Sequence, residues 1–173
     1  SFTAEEIWQQ IPGERGESVL LETWYTDLFE LDSNDAMNMD FWFRVLETRS
    51  AVSKQLEALR ASNQIGSSLD AEVTLYCNGS LQSDLNKLED ELRFVLITSE
   101  ADTQSPDSAG NDAITVKLES GDSLQILARA STHAKCVRCW HHREDVGTHS
   151  QHPELCGRCI DNVDGGGEPR HFA

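Results

Sequence analysis

The sequence predicts an α+β protein built in three parts. A stretch with helical periodicity comes first, then a stretch in which short strands alternate with a short helix, and finally a segment rich in cysteine and histidine. A length of 173 residues suits one ordinary domain or two to three small ones. We therefore expect a helical segment, a small α+β unit and a metal-binding module, at residues 1–62, 63–131 and 132–173.

Two helices are predicted in the first part. Residues 3–6 fit a capping box, and Pro12-Gly13 should end the helix that follows it. An apolar strip over residues 19–24 is expected to be extended and to return to a core. The longest helix should cover residues 39–62, which contain no glycine or proline and repeat apolar residues at spacings of three, four and seven.

The middle part alternates between the patterns of strands and of a short helix. Leucines on one face predict the helix between Leu81 and Leu92. Apolar runs predict four strands, over residues 72–76, 94–97, 114–118 and 124–127. The last two flank Gly121-Asp122 and should form a hairpin, whereas residues 99–112 have no aliphatic side chain beyond alanine and are typical of a flexible loop.

Charge is distributed unevenly along the chain, whose formal net charge is −16. Residues 1–131 carry 9 basic against 24 acidic side chains, and residues 132–173 carry 5 against 6. An acidic body is typical of a solvated surface that keeps a chain monomeric, so we expect a monomer. There is no apolar run of membrane-spanning length and no signal-peptide pattern, and the odd number of cysteines favours a reducing compartment. We expect a cytoplasmic protein without membrane contact.

Four of the five cysteines form the pattern C-x2-C-x16-C-x2-C, made by Cys136, Cys139, Cys156 and Cys159. Two such turns brought together place four sulfurs around one tetrahedral ion, which is the geometry of a structural zinc site. Four cysteines leave no open position for water, so the one expected zinc should be structural. Two disulfides or free thiols are the alternative. Gly157 is expected to supply an unusual backbone angle in the second turn.

The remaining cysteine and the histidines are not expected to be ligands. Cys77 lies in a strand context and should be a small buried apolar residue. Four histidines of the last segment should lie at the surface or beside the ligands, namely His141, His142, His149 and His152.

Cations and an aromatic residue surround the cysteine pairs. Lys135, Arg138 and Arg158 lie in or beside the two turns, Trp140 follows the first turn, and Arg170 lies near the end of the sequence. Single-stranded or looped RNA needs such a combination, because an unstacked base can lie on the ring while its phosphate meets the cation. The alternatives are that Trp140 packs as core and that the arginines only aid solubility. A second, weaker set of RNA contacts is predicted on the exposed side of the long helix, at Arg44, Arg49, Lys54 and Arg60.

Several motifs together resemble the bacterial isoleucyl-tRNA synthetases, which are class I aminoacyl-tRNA synthetases. In the order of that family they are Ser1-Phe2-Thr3-Ala4-Glu5-Glu6-Ile7-Trp8 with Pro12-Gly13, Phe41-Trp42, Asp90-Glu91-Leu92-Arg93-Phe94-Val95-Leu96, Lys135-Cys136 with Arg138-Cys139-Trp140-His141, and Cys156-Gly157-Arg158-Cys159. The resemblance covers essentially the whole chain. Val137 departs from it, since the family usually has proline there, but the ligands are untouched.

This resemblance implies the C-terminal, anticodon-side part of a ligase that uses ATP and magnesium to attach isoleucine to its tRNA. Residues 1–62 would complete a helical anticodon-binding bundle, 63–131 would form a junction domain and 132–173 a zinc ribbon. The family's ATP-site signatures, His-Ile-Gly-His and Lys-Met-Ser-Lys-Ser, and its editing domain are missing from this sequence, so the fragment itself should be non-catalytic. The implied partners are the anticodon region of isoleucine tRNA and the rest of the synthetase chain, and no DNA.

A second interpretation is a stand-alone zinc-ribbon adaptor that binds nucleic acid or protein. DNA glycosylases of the formamidopyrimidine type end in a similar finger, but they begin with a catalytic Pro-Glu, whereas this sequence begins Ser-Phe.

Overall fold

The structure, a computed structural model, describes residues 2–172 and consists of two compact units that divide after Asp32. The first unit contains the expected first helix, α1 (Phe2–Gln10). The expectation for residues 19–24 is wrong, because Val19–Leu21 form a 3₁₀ turn whose start is capped by the Ser18 hydroxyl. Leu20 is 71% and Trp24 is 95% exposed, so this strip does not return to a core.

The second unit is built on a four-stranded mixed sheet. In spatial order its strands are β2 (Glu100–Gln104), β1 (Ala71–Tyr76), β4 (Ser123–Ala130) and β3 (Ile114–Lys117). β1 pairs parallel to β2 and antiparallel to β4, and β3 pairs antiparallel to β4. The parallel pair requires a crossover, and the helices α3 (Gly79–Asn86) and α4 (Leu92–Leu96) supply it. The predicted strand at 72–76 and the predicted hairpin are confirmed.

The long helix α2 (Met39–Ala61) is also confirmed and lies against β4. The side chain of Asn38 caps its start by accepting a hydrogen bond from the Phe41 amide at 3.1 Å. Its apolar face buries Phe41, Val45 and Val52 against the sheet and the crossover leucines, such as Leu85. We call the sheet β1–β4 with α2, α3 and α4 the α+β layer (residues 39–130). The α+β class is therefore confirmed, while the functional division of the chain at residues 62 and 131 stays a prediction.

Two predictions in the middle part are wrong. Residues 94–97 are not a strand, because they continue the three- and four-residue spacing of the leucines into α4, which ends where Ile97 adopts a left-handed φ of 58°. Residues 99–112 are not simply a loop, because β2 pairs with β1 at the edge of the sheet. Backbone hydrogen bonds form this edge strand. Its side chains are polar, so it lacks the alternation of apolar and polar residues by which a strand is predicted.

A small module follows the sheet. It consists of a two-stranded hairpin of β5 (Ala134–Lys135) and β6 (His142–Arg143), and of the helix α5 (Gly157–Asp164). We call residues 134–164 the finger. Cys77, as predicted, is fully buried at the end of β1, and burial raises the pKa of its thiol to about 11. No helix within residues 2–172 has both the length and the apolar character that crossing a bilayer requires.

Candidate metal centre

The finger brings its two cysteine pairs together from two local structures. Cys136 and Cys139 lie at the tip of the β5–β6 hairpin, whose turn is closed by hydrogen bonds from the Cys136 amide to the His141 carbonyl and from the Trp140 amide to the Cys136 carbonyl, both 2.9 Å. Cys156 and Cys159 lie at the start of α5, and Cys156 is its N-cap residue. The tip of the hairpin and the start of α5 therefore face each other, with the cysteine sulfurs between them.

The four sulfurs fit a zinc ion. They all lie within 4.8 Å of one another, and among the described residues theirs is the one group of three or more potential ligands that converges in this way. The sulfurs of Cys139 and Cys156 are 3.7 Å apart, which matches the ~3.8 Å edge of a tetrahedron with zinc–sulfur bonds of ~2.3 Å. The Cys156 amide also donates to the Cys136 sulfur at 3.4 Å. No cysteine forms a disulfide, so that alternative is not the arrangement in this structure.

The four cysteines differ in how readily their thiols ionise. Burial raises the pKa values of Cys156 and Cys159, and the charge of the neighbouring Cys139 raises them further. Burial alone would also raise the pKa of Cys139, but hydrogen bonds from His141 and Arg158 lower it to about 5. Binding of a divalent ion at the four sulfurs would therefore have to release the protons of the thiols that are still protonated.

The unusual backbone angle lies at a residue that the sequence did not indicate. Gly157 does not have a positive φ; the Asp145 carboxylate accepts its amide at 2.6 Å and would lie 2.9 Å from an added Cβ, so a side chain there would have to displace that carboxylate. Trp140 has the left-handed φ, at 66°. Its ring is not packed as core, because the residue is 61% exposed. The Lys135 ammonium lies 5.9 Å from the ring centroid.

The histidines take different places around the cysteines. His141 is buried, with its ring edge-on to that of Phe94 and the two ring centroids 5.6 Å apart. His142 lies 3.4 Å from the Asp70 carboxylate. His149 is exposed, and His152 pairs with Asp164 at 2.5 Å.

The cations predicted near the finger differ in exposure. Lys135 and Arg138 are exposed, and Arg138 also donates to the Cys159 sulfur at 3.6 Å. The side chain of Arg158 is only 17% exposed and pairs with Glu168 at 2.7 Å. Arg170 lies over the ring of Phe94, with its guanidinium carbon 3.8 Å from the centroid.

The predicted cations of α2 do not all lie on an open face. Arg44 is half-buried in an ion pair with Asp84, and Arg49 is half-buried. Lys54 and Arg60 are exposed, with Arg60 paired to Glu57 at 2.5 Å.

The finger is held on the α+β layer by contacts that no sequence pattern revealed. The hydroxyl of Ser99 accepts the His142 amide at 2.6 Å, and Arg143 donates to the Ser99 carbonyl at 3.1 Å. After the finger, the segment 168–172 returns to the layer, where the buried carboxylate of Glu91 accepts the amides of His171 and Phe172, each at 2.7 Å. Glu91 and Phe94 were present in the motifs above, but their contacts follow only from the helical path of α4.

Comparison with known proteins shows what the chain is similar to. Residues 135–162 match a family model described as a zinc finger found in FPG and IleRS. Over 173 residues, all of this chain, the isoleucine–tRNA ligases of Alkalilimnicola ehrlichii and Thioalkalivibrio sulfidiphilus are 56% and 57% identical to it. The chain is a homologue of the isoleucine–tRNA ligases. The ligase of Methylococcus capsulatus is 55% identical over 99% of the chain.

The match to these ligases covers a limited part of their length. The chain spans 18% of each of the three relatives, at their C-terminal end. The resemblance to this synthetase family is thus confirmed along the whole chain. The zinc-finger match and the four converging sulfurs together support a structural zinc.

Proposed function

We propose that this chain is the tRNA-binding, anticodon-side part of an isoleucine–tRNA ligase, and that its finger, folded on one structural zinc, contacts the anticodon region. Energy gained by gripping the tRNA there would orient its distant acceptor end at a catalytic domain elsewhere in the ligase. Identity above 50% to the three ligases over essentially the whole chain supports this over a stand-alone adaptor.

The observation that carries the proposal is the presentation of Trp140. A left-handed backbone is costly for a residue with a large side chain, and such strain persists where the surrounding structure enforces it, often at binding sites. Here the metal-bound turn enforces it, and the result is a largely exposed ring with a cation beside it. A ring held in this way can stack an unpaired base without the entropy cost of ordering a loop.

The cations divide into two groups around that ring. Lys135 and Arg138 are exposed and are assigned to phosphate or base contacts. Arg158 and Arg170, which pack on Phe94, would contribute to the positive potential of the same surface. On α2, the exposed Lys54 and Arg60 would give the second, weaker contact, with smaller contributions from Arg49 and Arg44. The acidic remainder of the chain would face away from the RNA.

The rest of the proposal concerns the whole ligase. Residues 1–62 would complete the helical anticodon-binding region, residues 63–131 would form the junction and residues 132–173 the zinc domain. The chain itself would perform no chemistry, because ATP–magnesium and isoleucine would be bound by the remainder of the synthetase. We propose a monomeric, cytoplasmic enzyme that does not use DNA.

The test is Trp140→Ala in the ligase that contains this chain. Loss of one stacked base should weaken tRNA binding roughly 5- to 150-fold, while isoleucine-dependent pyrophosphate exchange stays unchanged. Val163→Ala is the matched control, because it removes another exposed apolar side chain of the finger. If zinc-loaded Trp140→Ala binds isoleucine tRNA as tightly as the parent, the finger does not contact RNA through this ring.

A further inference from the structure

The two cysteine pairs share a feature that zinc ligation alone does not explain. In each pair the residue before the second cysteine is an arginine, Arg138 in the first pair and Arg158 in the second. Each arginine reaches a sulfur of the opposite pair. Arg138 Nη1 donates to the Cys159 sulfur at 3.6 Å, while the guanidinium of Arg158 lies close enough to the Cys139 sulfur to interact with its charge. The two contacts are reciprocal.

The negative charge of the cysteine sulfurs is the reason why these contacts matter. Four thiolates around one divalent ion leave two negative charges, and three of the four cysteines are almost completely removed from solvent, namely Cys136, Cys156 and Cys159. Charge that is buried without compensation is costly, and hydrogen bonds from charged donors are about twice as strong as those from neutral donors. Two guanidinium groups place positive charge beside two of the four sulfurs, and Arg158 shares its charge with Glu168.

The surroundings of Arg158 show that its position is fixed from outside the cysteine pairs. Its guanidinium carbon lies 5.1 Å from the ring centroid of Phe94, on α4, and its Nη1 is 2.7 Å from Glu168. The carbonyl of Arg158 also accepts the Asn162 side-chain amide at 2.9 Å. A guanidinium held between Phe94 and Glu168 loses little further entropy when it faces the Cys139 sulfur.

We infer that Arg138 and Arg158 are positioning residues of the zinc site, each extending from one cysteine pair to a sulfur of the other. They brace the two pairs against each other and offset the charge that four thiolates leave on a divalent ion. This inference rests on the zinc of the proposed function but is independent of any tRNA contact. Groups that orient metal ligands in this way typically change metal affinity by ~10- to 100-fold when they are removed.

The experiment measures zinc transfer from the full chain to a chromophoric chelator, without tRNA. Arg138→Met and Arg158→Met keep the aliphatic bulk and remove the charge, and each should release zinc ~10- to 100-fold faster than the parent. Arg129→Met is the matched control, because Arg129 is 66% exposed and pairs with Glu72 at 3.3 Å, on the sheet. It should release zinc at the parental rate.

A second measurement guards against variants that fail to fold. Cobalt-loaded protein shows whether four sulfurs still surround the metal, and Arg138→Lys, which keeps a charge, should fall between the parent and Arg138→Met. Release at the control rate from both methionine variants would overturn the inference.

tRNA binding, measured separately on zinc-loaded ligase, distinguishes the two proposals. Faster zinc release with unchanged tRNA binding supports the bracing role and removes Arg138 from the RNA contacts. Unchanged zinc release with weakened tRNA binding would contradict the bracing role and keep Arg138 among the RNA contacts.

Discussion

The α+β layer and the finger belong to one compact unit but are held together by different interactions. The layer buries a continuous apolar cluster that runs from Phe41 on α2 through Leu85 and Leu124 to Ile126. The core of the finger consists of cysteines, with Val146 and Leu155 packed beside them. A module of this size cannot bury enough apolar surface to fold unaided, whereas zinc can contribute ~10–16 kcal/mol to such small folds. Removal of buried apolar groups should therefore destabilise the layer, whereas removal of the metal should destabilise the finger.

Loss of a zinc ligand is the largest perturbation of that contrast. Cys156→Ser should abolish zinc binding, which metal analysis of the parent should show as about one equivalent, and should unfold the finger because the ~10–16 kcal/mol of metal binding is lost. Limited proteolysis should then cut within residues 134–164 and spare the sheet. Cys77→Ala is the matched control. Cys77 lies in the layer, so this variant should keep the zinc of the finger. An intact finger without zinc would contradict the contrast.

A cavity in the layer should destabilise the layer and leave the zinc of the finger in place. Leu124 is fully buried on β4, so Leu124→Ala should lower the free energy of unfolding of the layer by about 2–5 kcal/mol. Urea unfolding followed by far-UV circular dichroism measures this, and zinc content should stay at one equivalent. Leu46→Ala, at an exposed position of α2, should change the stability by less than about 0.5 kcal/mol. Loss of zinc from folded Leu124→Ala would mean that the two regions are not separable.

Asp70 tests the boundary between the two regions. Its carboxylate accepts the amides of Gly66 and Ser67 at 2.9 and 2.8 Å and lies 3.7 Å from Lys135 and 3.4 Å from His142. Partial burial opposes ionisation, but these hydrogen bonds and the charge of Lys135 outweigh it and lower the pKa of Asp70. Asp70→Asn should cost about 1–3 kcal/mol near neutral pH, as expected for hydrogen bonds to a charged group.

The pH dependence of that cost has a definite sign. A carboxyl whose pKa is lower in the folded state stabilises the fold above its unfolded value, near ~4, and this contribution is lost as pH falls through the folded pKa. The stability difference between parent and Asp70→Asn should therefore shrink below about pH 4, measured by urea unfolding at each pH. Taking the difference at each pH cancels the zinc site, which both proteins share. A difference that grows on acidification would contradict this assignment.

Removal of residues 1–32 should have the smallest effect. The compact units divide after Asp32, and all the core residues described lie beyond it. The chain from Ser33 onward should keep its zinc and its free energy of unfolding to within about 0.5 kcal/mol, by metal analysis and urea unfolding. A larger loss would show that the second unit depends on the first.

Periodic patterns predicted those parts of the molecule in which side chains alone determine the outcome. The helix α2 and the β3–β4 hairpin follow from spacing, and the convergence of the four cysteines follows from their positions in the chain. Patterns failed where the backbone or the tertiary context decides. β2 is a polar edge strand that pairs through its backbone, and α4 has an apolar run too short to separate helix from strand. The contacts of Glu91 and Phe94 with residues about 80 positions away were beyond local patterns.

The left-handed backbone of Trp140 lowers the stability of the finger, while the side chain at this position is the one assigned to RNA recognition. That conformation costs a non-glycine residue ~1–2 kcal/mol, and glycine would relieve it. Selection for a more stable finger alone would thus favour glycine at position 140, and the ring assigned to base stacking would be lost. If the finger folds on zinc as proposed, part of the energy of metal binding would be used to hold this aromatic side chain in a conformation it would otherwise avoid.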